Sequence, residues 1–223
     1  MMNLRNDRKL LFITMTILAT ILFSQHKATT QDGRIVILKN DSTWEYEKSF
    51  AEKENELSFR KTFWGMNKKQ VKQTETSKIM KDETGYLAYS ENISGLEAFI
   101  FYYFVEDKLV RARYTFISEH SNKNDYLIDY DMIGDVLKEK YGKPKSDDTI
   151  WRDDLYKKDY PDWGFAISLG HLFKKAVWDT NSTNIDHVLY GENYSITHIA
   201  EYKSKALDYL EENEKNTKIK SAF

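Results

Sequence analysis

The sequence has no cysteine. That rules out disulfides, thiolate metal ligands and a thiol nucleophile. It also removes the acylated cysteine that anchors a lipoprotein. The fold must therefore be held by its core alone. Glycine is scarce, nine residues in 223, and never falls as G-x-G or before K-[ST], so the backbone cradles that grip nucleotide phosphates are missing. A G-x-S-x-G elbow, an H-E-x-x-H pair and a D-x-D-x-D-G calcium loop are absent as well. Nor is there a basic excess. Lys and Arg number 33 against 35 Asp and Glu, a net charge of −2 with both signs interspersed. A nucleic-acid partner calls for a basic stripe, so none is expected.

What is present begins with a leader. Arg5, Arg8 and Lys9 precede an uncharged apolar run from Leu10 to Phe23, and small or polar residues follow from Ser24. This is the layout of a secretory signal peptide over residues 1–24. Ser24 and Ala28 are both small enough to precede the cut, which places cleavage between 24 and 28. A retained membrane anchor is the alternative, though the apolar run is short of the ~20 residues that a spanning helix needs. Removing Arg5, Arg8 and Lys9 together with Asp7 takes away two net positive charges and leaves −4.

Beyond the leader, residues 31–47 read as a β-hairpin. Arg34–Leu38 and Thr43–Tyr46 flank the turn formers Asn40, Asp41 and Ser42. Residues 48–58 are a charged linker. The main α+β domain is expected over residues 59–203, opening at FWGMNKKQV, Phe63–Val71. Here Asn67 can cap a helix with Gln70 reaching back, Gly65 permits a sharp turn, and Trp64 and Met66 serve as apolar plugs. Strands are expected at Tyr86–Ser90, Leu96–Val105 and Leu109–Ser118, the second covered on both faces. In the third, Val110, Ala112, Tyr114 and Phe116 point one way, Arg111 and Arg113 the other.

The second half repeats the order. Tyr126, Tyr130, Ile133, Leu137 and Tyr141 recur at helical spacing over residues 125–141, closed by Gly142 and Pro144. Strands are then expected at Thr149–Tyr156, Trp163–Leu172, Lys174–Thr180, Ile185–Tyr190 and Tyr194–Lys203, the last two joined at Gly191–Asn193. Residues 204–223 form a short C-terminal helix and charged tail. The fold class is thus α+β: two successive helix–antiparallel-meander units forming a sheet with helices packed on it, preceded by a short β-hairpin.

FWGMNKKQV resembles the WGMS-x-x-x-V signature of a broad set of largely uncharacterised exported bacterial proteins, with Asn67 in place of serine. LKEKYGKP, Leu137–Pro144, resembles the second-helix ending in the same set, so the likeness spans roughly residues 59–203. At fold level the order of elements is similar to small outer-membrane-assembly proteins and to β-lactamase-inhibitor proteins. Those act by binding other proteins, and the family supplies no catalytic residue to carry over.

Candidate chemistry is thin. His187 and His198, with Glu192 and Glu201 near in sequence, would be the ingredients of a metal site. With a turn at 191–193 the paired residues sum to about 384, so His187 opposes a residue near Thr197; His198, one position further on, then falls on the other face, which puts the two rings apart. His120 belongs to a polar loop, His171 to a strand, and His26 lies beside the leader. Ser118–Glu119–His120–Ser121 reads as solvated loop. The acidic run from Asp153 and Asp154 to Asp159 and Asp162 could serve a hydrolase, provided two carboxyls face each other across a cleft. Five Trp, fifteen Tyr and twelve Phe supply the core. Trp151, Trp163 and Trp178, with Tyr156, Tyr160, Phe165, Phe173 and Tyr190 around them, are expected in sheet packing or on a sheet face that grips a partner. The expected function is an exported, non-enzymatic binding or envelope-structural protein. Its partner would be another envelope or secreted protein, with no cofactor, no catalytic residue and membrane contact only through an uncleaved N-terminus. The alternative is a secreted hydrolase using the acids from Asp153 to Asp162.

Overall fold

The computed structural model describes residues 26–29, 35–38, 42–46 and 58–221. The signal peptide at 1–24 and nearly all of the charged linker at 48–58 lie outside them. The chain divides into two compact units, residues 1–55 and 56–223. In the first, β1 (His26–Thr29), β2 (Ile35–Leu38) and β3 (Trp44–Tyr46) form an antiparallel sheet in that order. The expected hairpin is the β2–β3 pair, with Val36 opposite Tyr46, while β1 adds a strand that alternation did not announce. Trp44 and Tyr46 meet edge to face at 5.2 Å on the exposed last strand.

The second unit begins as its residues dictate. Asn67 caps α1 (Lys68–Thr74) through a reciprocal box: its side chain accepts from Gln70 N at 2.9 Å, and Gln70 accepts from Asn67 N at 2.9 Å. Gly65 takes a φ of +84° at the turn before it. Trp64 and Met66 pack on the core, and the Trp64 indole donates to Thr183 Oγ1 at 2.9 Å.

Eight antiparallel strands follow: β4 (Ile79–Glu83), β5 (Tyr86–Ile93), β6 (Leu96–Val105), β7 (Lys108–Phe116), β8 (Ser146–Trp151), β9 (Leu172–Asp179), β10 (Thr183–Glu192) and β11 (Ser195–Ser204). Their spatial order is β4-β5-β6-β7-β11-β10-β9-β8, with β7 paired to β11 at the middle. Between β7 and β8 runs α2 (Asp125–Tyr141), the helix its periodicity predicts, ending at Gly142. A single-turn 3-10 helix (Tyr160–Asp162) leads into α3 (Trp163–Ser168), and α4 (Asp208–Ser221) closes the chain. The protein is α+β: one large antiparallel sheet, one small one and four α-helices among the described residues.

Buried residues of α1, α2 and α3 all face one side of the large sheet, hereafter its inner face. Val71 of α1, and Ile133 and Leu137 of α2, join Leu87, Tyr89, Ile100, Tyr102, Trp178, Ile185 and Tyr202 in the larger core cluster. Leu127 and Tyr130 of α2 meet Ala166 and Ile167 of α3 over Leu172 and Leu189 in the smaller one. Trp178 is buried, and its indole donates to Gly142 O at 2.8 Å, tying the end of α2 to β9.

Three expectations are corrected. The run Trp163–Leu172 is not a strand: residues 163–168 are helical. A short apolar run does not declare its own period. Here contact decides. A Cβ on Gly164 would lie 2.2 Å from Lys123 C, and Gly164 N donates to Asn124 Oδ1 at 2.6 Å, so the start of α3 is docked on the start of α2. The strand expected at Thr149–Tyr156 ends at Trp151, and the chain then turns. The β10–β11 turn is Asn193–Tyr194, both at positive φ, rather than Gly191–Asn193. Gly191 stays within β10 because α3 passes over it, its Cβ position only 2.2 Å from Ile167 O.

Candidate functional site

That turn sets the fate of the two histidines. The observed register puts His187 opposite Ala200 and His198 opposite Leu189. An odd change in register moves side chains to the other face, so both rings lie on the inner face instead of being split. They meet Nε2 to Nε2 at 2.8 Å, fully buried. The Tyr130 ring of α2 stacks on His187 at 4.1 Å with an interplanar angle of 4°, and its hydroxyl donates to His187 O at 3.3 Å. Phe116 lies 4.4 Å from the His198 ring. Burial, then His198, Lys174 and Lys138, push the His187 pKa well down, and burial alone takes His198 to about 3. The pair is neutral, and one Nε2 donates to the other. His187 Nδ1 is buried and has no hydrogen-bond partner among the described residues. An unsatisfied buried nitrogen of this kind costs about 1–3 kcal/mol.

Beside it is a polar cavity of about 320 Å³ between α2 and the inner face of β8 to β10. Tyr130, Gly134, Lys138, Thr149, Lys174 and His187 line it, with Asp131 and Asp147 at the same opening. Lys174 Nζ lies 2.7 Å from Asp131 Oδ1 and 4.8 Å from the centre of the Tyr130 ring.

The metal ingredients are not brought together. Glu201 points to the other face of the sheet, and exposed Glu192 accepts from Asn193 at 3.4 Å. The acids considered for hydrolysis lie on the exposed turn after β8. Asp153 Oδ1 accepts from Leu155 N at 2.9 Å and Asp154 pairs with Lys157 at 3.1 Å. Asp159 and Asp162 are exposed beside them, so the four do not line an enclosed cleft. His120 binds Asp129 at 2.6 Å, holding its loop to α2. His171 is in the turn before β9, its carbonyl accepting from Arg152 N at 2.7 Å. Of the tryptophans, Trp151 and Trp163 meet edge to face at 5.4 Å.

The outer face of the sheet is different in character. Cross-strand partners share a face, and one row runs Phe101, Arg113, Glu201, Asp186, Val177. On β6, Phe99, Phe101 and Tyr103 form a ladder: Phe101 stacks on Tyr103 at 5.9 Å, and Phe99 meets Phe101 at 6.3 Å. The Arg111 guanidinium sits 3.8 Å over the Tyr103 ring and pairs with Glu211 of α4 at 2.9 Å. Glu201 takes Arg113 at 2.7 Å, Arg111 at 3.2 Å and Lys203 at 2.9 Å. Burial would raise its pKa, but the bonds from Lys203 and Arg113 outweigh that and hold it down. The strand β6, expected to be covered on both faces, buries one face and leaves these rings half-buried on the other.

A third polar centre, unforeseen from sequence, lies on the inner face of the large sheet in its β4 to β7 half. Arg60 grips Glu75 with two bonds, 2.9 and 3.2 Å, and Glu91 with one of 2.6 Å. Tyr102 donates to the buried Glu75, and Ser77 to Glu91 at 3.1 Å. Burial would lower the pKa of Arg60, but Tyr114 and Glu75 keep it raised.

Compared with family models, curated proteins and solved structures, the chain gives no match. Its function has to be argued from its own geometry.

Proposed function

We propose that this is an exported, non-enzymatic binding protein that offers the outer face of its large sheet to another envelope or secreted protein. The observation carrying this reading is the asymmetry of the sheet. The buried sides of three helices seal its inner face, whereas on the outer face α4 meets the sheet at Arg111 and the Phe99–Phe101–Tyr103 ladder stays half-exposed beside Arg111, Arg113 and the buried Glu201. Aromatic rings and arginines carry much of the energy at protein interfaces. The leader at residues 1–24 would deliver the chain across the inner membrane. Cleavage after Ser24 rather than Ala28 keeps β1 whole. Membrane contact would arise only through the N-terminal segment if it stayed uncleaved, and neither nucleic acid nor cofactor takes part.

On the same reading, α1 with β4 to β7 and α2 with β8 to β11 are two successive helix–meander units. The Phe63–Val71 start would belong to the exported family whose helix-start signature it resembles. Site-specific photo-crosslinking in cells is the test, with the probe at Phe101, at Tyr190 on the same face, and at Met132 on α2 as control. A defined adduct from the two sheet positions and none from Met132 supports the reading. Adducts from all three alike, or from Met132 alone, would overturn it. N-terminal sequencing of the exported form checks the leader, since retention of Met1 or Met2 defeats the secretion step.

A further inference from the structure

The cavity beside His187 plays no part in the outer-face reading. We propose that it binds a small organic carboxylate, held between the Lys174 ammonium and the unpartnered ring nitrogen of His187.

Four observations converge. First, His187 Nδ1 is buried and unpartnered among the described residues, and it faces the cavity alongside Gly134, its nearest approach to an added Cβ there being 3.9 Å. Because the two histidines share one Nε2–H, a proton on His198 Nε2 leaves His187 with its hydrogen on Nδ1. That hydrogen is a donor aimed at the cavity, and a carboxylate oxygen is its natural acceptor.

Second, the Lys174 side chain is only 14% exposed, whereas its partner Asp131 is 63% exposed. A largely covered lysine is thus held by a carboxylate reaching in from solvent. Such a half-exposed pair is weak and easily exchanged for another carboxylate. Third, the second ammonium at this opening, Lys138, is held only loosely, 3.6 Å from Asp147 and from Asp135, so it too can turn to an entering anion. Thr149 adds a hydroxyl to the lining, and the stacked Tyr130 ring fixes His187 in place. Fourth, Gly134 sits mid-helix although packing does not demand it. A Cβ there would touch His187 Cε1 at 3.8 Å, an ordinary contact, so the missing methyl serves to leave room in front of Nδ1. A cavity of about 320 Å³ suits an acid of a few carbons.

The test is calorimetric titration of the full chain with acetate and with succinate at constant ionic strength, sodium chloride serving as the blank. Ring-nitrogen NMR of His187 is recorded alongside. Saturable binding is expected, with the His187 Nδ1 resonance, of the protonated type from the start, shifting as the acid is added. Lys174→Met should weaken binding about tenfold or more, the loss of one charge-assisted hydrogen bond. Asp131→Asn, which removes the competing carboxylate, should strengthen it. Gly134→Ala should weaken it while leaving the melting temperature equal or higher, which separates blockage of the site from misfolding. No saturable binding of either acid, or binding unchanged by Lys174→Met or by Gly134→Ala, overturns the proposal. Neither result bears on the outer face, whose cross-linking test is independent.

Discussion

Two polar clusters are buried under the same sheet face, and they are finished differently. One row of cross-strand partners passes through both, running Asp147, Ala176, His187, Ala200, Tyr114, Ile100, Tyr89. At the Tyr114 end, Arg60, Glu75, Glu91, Tyr102 and Ser77 satisfy one another with short bonds and opposite charges. At the other end, two neutral histidines share one hydrogen bond and leave a ring nitrogen beside a polar cavity. A closed cluster of charges explains itself as structure: each group is there because the others are. An incomplete one carries an unbalanced desolvation penalty, and that imbalance is what points to a ligand.

The sharpest way to break the comparison is Arg60→Met. It strands the buried Glu75 carboxylate, and the expected loss is about 3–5 kcal/mol in urea unfolding. A loss under about 1 kcal/mol would mean that the cluster is no more than a surface ion pair.

Acid comes next. His187 and His198 bind protons less readily folded than unfolded, so on acidification the unfolded chain takes up protons first. Their contribution is intact above pH 6.5 and is lost as pH falls from there toward about 3. The slope is about 1.4 kcal/mol per pH unit for each histidine. The double variant His187→Gln, His198→Gln should lose this part of the slope; an unchanged acid limb in stability against pH would contradict the burial of the pair.

Smaller, and of opposite sign, is Gly134→Ala. Alanine is favoured over glycine within a helix by about 1 kcal/mol, so unfolding free energy should rise. A fall would show that α2 needs the space for its own packing. Least of all, Asp153→Asn on the exposed turn should shift stability by under about 0.5 kcal/mol, and should leave any carboxylate binding untouched.

How much of this was legible in the sequence depended on whether local chemistry or distant contact made the decision. The box at Asn67 and Gln70, the span of α2 and the full length of β6 are local, and they stand where their residues place them. α3 was not legible, because WGFAIS becomes a helix through what Gly164 touches forty residues away. β4 was missed because its five residues are all exposed on the sheet edge and carry no alternation. The histidine pair was hidden by a turn placed at Gly191, a residue that serves the passage of α3 instead. The Arg60 cluster had no signal at all, since its members come from four separate segments, Arg60, Glu75 and Ser77, Glu91, and Tyr102.

The pairing of β7 with β11 carries a kinetic consequence. Those strands are joined by contacts such as Arg113 to Glu201, 88 residues apart, whereas every other neighbour in the large sheet belongs to the same run of four. Ring closure over that distance comes late in folding. Until it happens, β7 and β11 are both unprotected edges, and a crowded refolding mixture can zip the β7 of one molecule to the β11 of another, yielding entwined dimers.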